Sequence, residues 1–402
     1  MTGSNHTDKL NRREFLAGAA AAAAFTVVRP SAVRSSEANS TLELGLLGCG
    51  GRGQWIVPLF EKHGKYKFVA CADYYPDRAD QVGEKCRIDA SRRYTTLSGY
   101  RKLLDDRLDA VVIETPPYFH PEQAAAAVEA GKHVYLAKPI AVDVPGCKTI
   151  AEAGRKATAK KLAFLVDFQT RANRFYREAA RRIHAGELGR LVCGDARYPC
   201  GVMDKKPPGT PEDRLRAWYN YRAFSGDFIV EQSIHALDVA TWFLNDAPQS
   251  AAGAGGSKGL RLYGDDWDHF NLIYRFPKEF VLSFYSVQMA HGAPNEIVCR
   301  IYGSQGTVHS DYFSGVSITG PKPWEGAKFT DLYESGTVVN IGEFYEAVTS
   351  GRFDNPTVAP SVRSNLTAIL GRMAAYKGEP VTWDELMRSE ERLEADLKGL
   401  KS

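Results

Sequence analysis

The sequence predicts an α/β domain on a parallel sheet, then an α+β domain with a largely antiparallel open sheet, preceded by a short segment outside both. Three observations carry this. At 402 residues the chain exceeds one ordinary core, since domains usually run to roughly 100–200 residues. From residue 41 short apolar runs alternate with helical patterns, as in a parallel sheet with crossover helices. Beyond residue 168 runs of period two are punctuated by Gly and Pro, as in an antiparallel sheet with one wet face. The expected divisions are therefore 1–40, 41–167 and 168–402.

In the first domain Leu42–Leu47, Phe68–Ala72, Ala110–Ile113, Val134–Leu136 and Leu162–Val166 read as strands. Helices are expected from near Gln54, at Pro121–Ala130 and at Val144–Ala159. In the second, an amphipathic helix near Phe175–Ala185 leads into a strand at Leu191–Tyr198. The Pro-containing stretch from Pro199 to Pro211 follows, of a length that is usually functional or disordered. A helix through His235–Trp242 precedes strands at Phe270–Phe276, Phe280–Val287, Glu296–Tyr302 and Thr307–Ser310, and helical patterns return at Gly342–Ser350 and Ser361–Lys377.

Hydrophobic residues at 44% and charged residues at 25% are ordinary for a soluble globular protein, and a net charge of +3 leaves no basic face. Nucleic-acid binding is not expected, because the clustered cations that phosphate backbones require are missing. Seven dispersed cysteines form no C-x-x-C or His-flanked cluster, so no metal site is expected. Cys49 and Cys71 read as small buried hydrophobes, and the spacing of Cys193 and Cys200 leaves a disulfide open as an alternative.

Arg12-Arg13-Glu14-Phe15-Leu16 followed by an Ala-rich run from Gly18 to Val28 has the layout of a twin-arginine export signal, with cleavage expected after Ala32 or Ala38. The run is short of the ~20 residues a transmembrane helix needs, so no stable membrane insertion is expected after cleavage. The expectation is a periplasmic or otherwise exported protein, carried across folded by the twin-arginine machinery.

Gly48, Gly50 and Gly53 satisfy G-x-G-x-x-G directly after a strand and before a helix, the full turn being Gly48-Cys49-Gly50-Gly51-Arg52-Gly53. The first glycine permits the tight turn, the second lets a pyrophosphate approach the backbone, and the third allows close helix–strand packing. Asp73, twenty residues past Gly53 at a strand end, is placed for the adenosine ribose hydroxyls. A carboxylate there repels a 2′-phosphate, which favours NAD over NADP, and Arg78 is the feature pointing the other way. Thr115 and Pro116, at another strand end, line the same crevice.

Lys138 follows a strand at the same carboxyl edge, and Glu231 and His235 stand four residues apart, on one face if a single helix covers both. Oxidising an alcohol means removing its proton as hydride leaves, and an imidazole titrating near working pH suits that task. His235 is the expected base, and Lys138 the donor to the reacting oxygen. Tyr219, with Trp218 and Tyr221, is placed either to stack on a sugar ring or to fill core.

Taken together, the glycine turn, Thr115-Pro116-Pro117-Tyr118-Phe119-His120, Ala130-Gly131-Lys132-His133-Val134-Tyr135-Leu136-Ala137-Lys138-Pro139 and His235-Ala236-Leu237-Asp238 resemble the Gfo/Idh/MocA oxidoreductases, over essentially Leu44 to Leu386. The resemblance implies a Rossmann dinucleotide-binding domain joined to an α+β domain that mediates dimers or tetramers. It implies hydride exchange between NAD(P) and a hydroxyl of a sugar, polyol or sugar derivative. By position it makes Lys138, His235 and Glu231 catalytic, adds His120 and Lys138 to the cofactor site, and gives Gln169 and Arg171 substrate contacts. An Arg at such a junction also reads as a salt-bridge partner. Three departures stand out: Ala137 replaces the Glu of the family's Glu-Lys-Pro, Glu231 replaces an Asp, and Ser233 stands where the family often has Gly. Two alternatives stay open, a redox-neutral NAD-dependent glycoside hydrolase and a non-catalytic dinucleotide sensor.

Overall fold

The computed structural model describes residues 41–201, 208–288, 291–292 and 294–402. The twin-arginine segment with its linker, and part of the stretch from Pro199 to Pro211, lie outside the described residues.

The first sheet takes β1 (Leu42–Leu47), then α1 (Gly51–His63), β2 (Tyr66–Ala72), α2 (Pro76–Lys85), β3 (Arg93–Tyr94) and α3 (Gly99–Asp105). It continues with β4 (Ala110–Ile113), α4 (His120–Glu129), β5 (His133–Ala137), α5 (Val144–Ala159) and β6 (Phe164–Asp167). All six strands are parallel, in the order β3-β2-β1-β4-β5-β6. β4 and β6 are buried throughout, because helices cover both faces and every residue must be apolar or paired. Local chemistry sets the helix ends. Asp143 caps α5 by accepting from Gly146 N–H at 2.8 Å, ahead of Pro145 in its first turn, and left-handed Gly64 ends α1. The order reverses between β1 and β4, which opens a crevice at the carboxyl ends of the strands.

The second half begins with α6 (Arg174–His184), capped by Asn173, and β7 (Leu191–Pro199). The helices α7 (Pro211–Arg216), α8 (Phe228–Glu231) and α9 (Ile234–Leu244) follow. The sheet resumes with β8 (Ser250–Gly256), β9 (His269–Arg275), β10 (Val281–Val287), β11 (Val298–Gly303), β12 (Thr307–Asp311), β13 (Gly315–Thr319) and β14 (Trp324–Glu325). Two long helices, α10 (Leu332–Ser350) and α11 (Val358–Lys377), precede β15 (Val381–Thr382). The nine strands run β14-β13-β12-β11-β7-β10-β9-β8-β15, antiparallel at every described pairing except β7 with β10. Along β9 buried and exposed residues alternate, so one face packs on helices and the other stays open.

The closing helices return to the first sheet. Asn355 Oδ1 accepts from Phe164 N–H at 2.7 Å and Thr357 Oγ1 from Val166 N–H at 3.0 Å, so side chains satisfy the outer edge of β6. Asn365 does the same for Ile140 N–H at 3.1 Å. Among the described residues no helix is long and apolar enough to cross a membrane. Cys193 is a free thiol, so the alternative of a Cys193–Cys200 disulfide is not realised.

Candidate active site

β1 delivers the chain into Gly48, whose φ of +92° and closeness to the backbone of Glu114 and Thr115, 2.7 Å from any added Cβ, leave room for glycine only. A Cβ on Gly53 would lie 2.0 Å from Gly48 O, which locks the start of α1 against β1. Gly51 meets nothing within 4 Å and Gly50 only the Arg78 side chain, so this face of the turn is open. No acidic residue occupies the first turn of α1, and its free N–H groups face the crevice. These features fit a dinucleotide pyrophosphate.

Asp73 does more than wait for a ribose. Its Oδ2 accepts from Cys49 N–H at 2.7 Å and its Oδ1 from Tyr75 N–H at 2.9 Å, tying the turn to the end of β2. Burial raises its pKa, partly offset by those two N–H groups and by Arg78. Cys49 is buried, as its reading as a small hydrophobe requires. Arg78 and Arg216 both lie over the Tyr75 ring, at 4.7 and 3.8 Å, and Arg216 pairs with Asp77 at 2.8 Å. The glycine turn, Asp73, Thr115 and Pro116 all line one solvent-open cleft of about 1050 Å³. Tyr219 lines it too, beside Trp218 and Arg216.

His120 lies one layer behind. Its Nδ1 is 2.7 Å from Pro139 O and its Nε2 2.7 Å from Thr115 O, between the ends of β4 and β5, and the neutral ring donates to one of these carbonyls at a time. Burial pulls its pKa down to about 4, although both carbonyls favour the charged ring.

Lys138, Glu231 and His235 stand beyond this cleft, past Arg52 and Glu114, whose charges reach His235 and Lys138 respectively. Lys138, joined to Pro139 by a cis peptide, donates from Nζ to Glu231 O at 2.6 Å and faces Glu231 Oε1 at 3.4 Å. The condition for Glu231 and His235 to share a helix face is not met: Glu231 ends α8, Gln232 and Ser233 turn the chain, and His235 belongs to α9. The break arises because Gln232 and Ser233 both donate to Phe228 O, and the Ser233 hydroxyl is held 2.7 Å from that of Ser286. Lys138, not helical periodicity, engages Glu231. His235 is buried edge-on to Tyr312, and its Nδ1 has no hydrogen-bond partner among the described residues. Burial first, then Lys138 and Arg52, hold its pKa well below the ordinary value, which keeps the ring neutral.

Two expected substrate contacts are engaged elsewhere. Gln169 is buried, donating to Asp167 Oδ2 at 3.1 Å and accepting from Tyr312 at 3.5 Å. Arg171 binds Asp238 through Nε at 2.9 and 3.1 Å, the salt-bridge role such a junction residue also suggests. Asp238 also accepts from Ser364 at 2.7 Å and is thereby structural.

Sequence reasoning missed Glu114 and Asp167. The Arg52 guanidinium, flanked by the Trp55 and Tyr333 rings at 4.3 and 4.8 Å, pairs with Asp167 at 2.5 Å and Glu114 at 3.4 Å. Asn340 donates to Asp167 at 2.7 Å. Burial is the main force on Glu114, pushing its pKa up to about 7 against the pull of Arg52. The available signal was a charge ending an apolar run at the carboxyl edge of each strand, with Ala137 small enough to leave the space between them.

Residues 42–164 match the family model described as "Oxidoreductase family, NAD-binding Rossmann fold", and residues 176–309 match the Gfo/Idh/MocA C-terminal domain. The chain belongs to the Gfo/Idh/MocA family. As a Gfo/Idh/MocA protein it carries an NAD-binding Rossmann domain, and the cradle at Gly48–Gly53 with Asp73 is where that cofactor fits. It is 24% identical to inositol 2-dehydrogenase of Rhizobium meliloti over 347 residues, 84% of this chain and 96% of that one. With scyllo-inositol 2-dehydrogenase (NAD(+)) of Bacillus subtilis the identity is 28% over 202 residues, 50% of this chain and about half, 53%, of the relative. The solved structure of levoglucosan dehydrogenase in complex with NADH and levoglucosan has the same fold, with a TM-score of 0.71 at 20% identity, over 85% of this chain and 99% of that one.

Proposed function

We propose that this protein is an exported NAD-dependent dehydrogenase that removes hydride and a proton from a hydroxyl-bearing carbon of a sugar, polyol or sugar derivative. The observation that carries the reading is the pairing of a held ammonium, Lys138, with a neutral buried imidazole, His235, beyond the dinucleotide crevice. When bound, NAD supplies the hydride acceptor. His235 takes the hydroxyl proton, while Lys138, oriented by the Glu231 carbonyl, donates to the same oxygen and stabilises the charge that grows there. Relatives named for inositol and levoglucosan support the substrate class.

Export rests on Arg12-Arg13 and the Ala-rich run behind it, and fractionation of cells making the full chain, against a form with Lys at both arginines, tests it. Assembly into dimers or tetramers rests on the open face of the second sheet, where Ile273, Tyr285 and Tyr302 are exposed, and light scattering reads it directly.

The deciding experiment offers the purified protein a panel of free sugars, polyols and glycosides, following reduced nicotinamide and released aglycone together. Reduced nicotinamide formed in step with oxidised sugar supports the dehydrogenase. Aglycone released without net NADH supports the redox-neutral hydrolase instead. Lys138→Ala and His235→Asn are each expected to lower turnover at least roughly a hundredfold. Near-normal rates in both would remove the assignment of Lys138 and His235, whereas NADH binding with neither sugar oxidation nor aglycone release would favour a sensor.

A further inference from the structure

Residues 389–402 follow the last helical turn, Trp383–Arg388, and lie outside both matched family regions. They contain no regular helix or strand, yet they are tied down along their length. Leu393 N–H donates to Asp143 Oδ2 at 3.0 Å. The Arg214 guanidinium of α7 donates to Asp396 O at 2.8 Å and to its carboxylate at 3.1 Å. Lys401 N–H donates to the Tyr74 hydroxyl at 3.1 Å, and Lys401 O accepts from Leu97 N–H at 3.1 Å. Leu397 and Leu400 pack on the cluster of Tyr75, Leu215 and Phe224.

What these contacts join is informative. Tyr74, Tyr75 and Leu97 belong to the first sheet's rim, beside Asp73 at the end of β2, whereas Leu215 belongs to α7 of the second half. All four line the dinucleotide cleft, from opposite walls. Direct contacts close the same gap: the Tyr75 hydroxyl donates to Glu212 O, and Arg216 pairs with Asp77. The terminal segment is therefore a second layer, spanning both walls behind the residues that would touch adenosine. A ligand leaving by this end has to part walls that the segment holds together.

We propose that residues 389–402 form a retaining strap across the adenosine end of the cleft, which slows dinucleotide exchange without taking part in hydride transfer. The proposal rests on the dinucleotide reading of the cleft. It explains physically how a cofactor made in the cytoplasm stays with a protein working elsewhere, because retention is a matter of off-rate.

The test is NADH dissociation from the full-length protein, measured by stopped flow on chasing bound NADH with excess NAD. Two variants are compared with wild type: a chain ending at Arg388, and the full-length double substitution Leu397→Asp and Leu400→Asp, which leaves every cleft-lining residue in place. Dissociation at least tenfold faster in both, with turnover at saturating NAD and sugar within about twofold of wild type, is the expected result. Wild-type dissociation rates in the double variant overturn the strap, whatever the truncated chain does. Turnover falling in proportion to the faster release also overturns it, since that assigns the segment to the chemistry. A wild type that binds neither NADH nor AMP overturns the dinucleotide reading itself, and the strap with it.

Discussion

Gly53→Ala tests the cofactor turn by geometry alone. The added Cβ would stand 2.0 Å from Gly48 O, about 1 Å inside the 3.0 Å that real Cβ contacts respect, and the atom it meets is backbone. No side chain can swing aside, so α1 must lift from β1 or the turn must open. Overpacking of this kind costs about 1–3 kcal/mol, and a rigid neighbour places it near the upper end. A loss of about 3 kcal/mol lowers the melting temperature on the order of 5 °C in a chain of this size. The N–H groups that face the pyrophosphate move with the helix, so NADH affinity is expected to fall at least roughly tenfold. Gly51→Ala, two residues away in the same motif, is the control. Its Cβ meets nothing within 4 Å, and Ala in place of helical Gly stabilises by up to ~1 kcal/mol, so the apo protein melts slightly higher. Thermal unfolding of both variants and NADH fluorescence titration decide the matter. Gly53→Ala with an unchanged melting temperature and NADH affinity within twofold of wild type would refute the close-packing argument.

Three further outcomes are expected. Asp73→Asn leaves one side-chain oxygen where two accept from Cys49 and Tyr75 N–H, so NADH titration reads at least roughly tenfold weaker binding and a smaller preference over NADPH. His120→Ala removes the one N–H the neutral ring donates to the carbonyls of Thr115 and Pro139, and urea unfolding shows a loss of about 1–3 kcal/mol, together with slower turnover as the segment carrying Lys138 loosens. His133, which accepts from Ala163 N–H at 2.8 Å, keeps a neutral ring down to about pH 4 because burial excludes its charge. The unfolded chain protonates it near pH 6.5, so folding weakens as pH falls below that value, by up to ~1.4 kcal/mol per unit. His133→Gln is therefore expected to lose ~2 kcal/mol less than wild type between pH 6.5 and 5, and parallel urea curves at both pH values would count against it.

Where periodicity and burial point the same way, the sequence is easily read. β1, β4 and α5 begin and end at their expected residues because apolar runs there meet clear stops and caps. β8 was invisible: Ser250–Gly256 is almost all Ala and Gly, and becomes a strand only because β9 and β15 pair with it. α10 starts at Leu332, ahead of the expected Gly342, since its first turns carry no apolar stripe and are held by packing on the first sheet. The sequence singles out the glycine turn, Asp73, Lys138 and His235 because each is a chemistry-bearing residue type at a strand or helix end, and the structure places the turn and Asp73 in one cleft and Lys138 against Glu231. Glu114 and Asp167 were not, since their roles depend on Arg52 reaching across two neighbouring strands. The partners of Gln169 and Arg171 were equally out of reach, as adjacency in sequence says nothing about which buried carboxylate engages them.

Asn355 and Thr357 complete β6 with side chains drawn from nearly two hundred residues downstream. During synthesis the dinucleotide-binding half is finished in sequence at Asp167, yet its outermost strand keeps bare N–H groups until residue 357 has emerged and folded back. Such an edge is a template for pairing with another chain. A gene fragment ending after β6, cut where the strands appear to stop, should therefore aggregate or recruit a partner strand, while one that also supplies residues 355–377 has the means to stay monomeric.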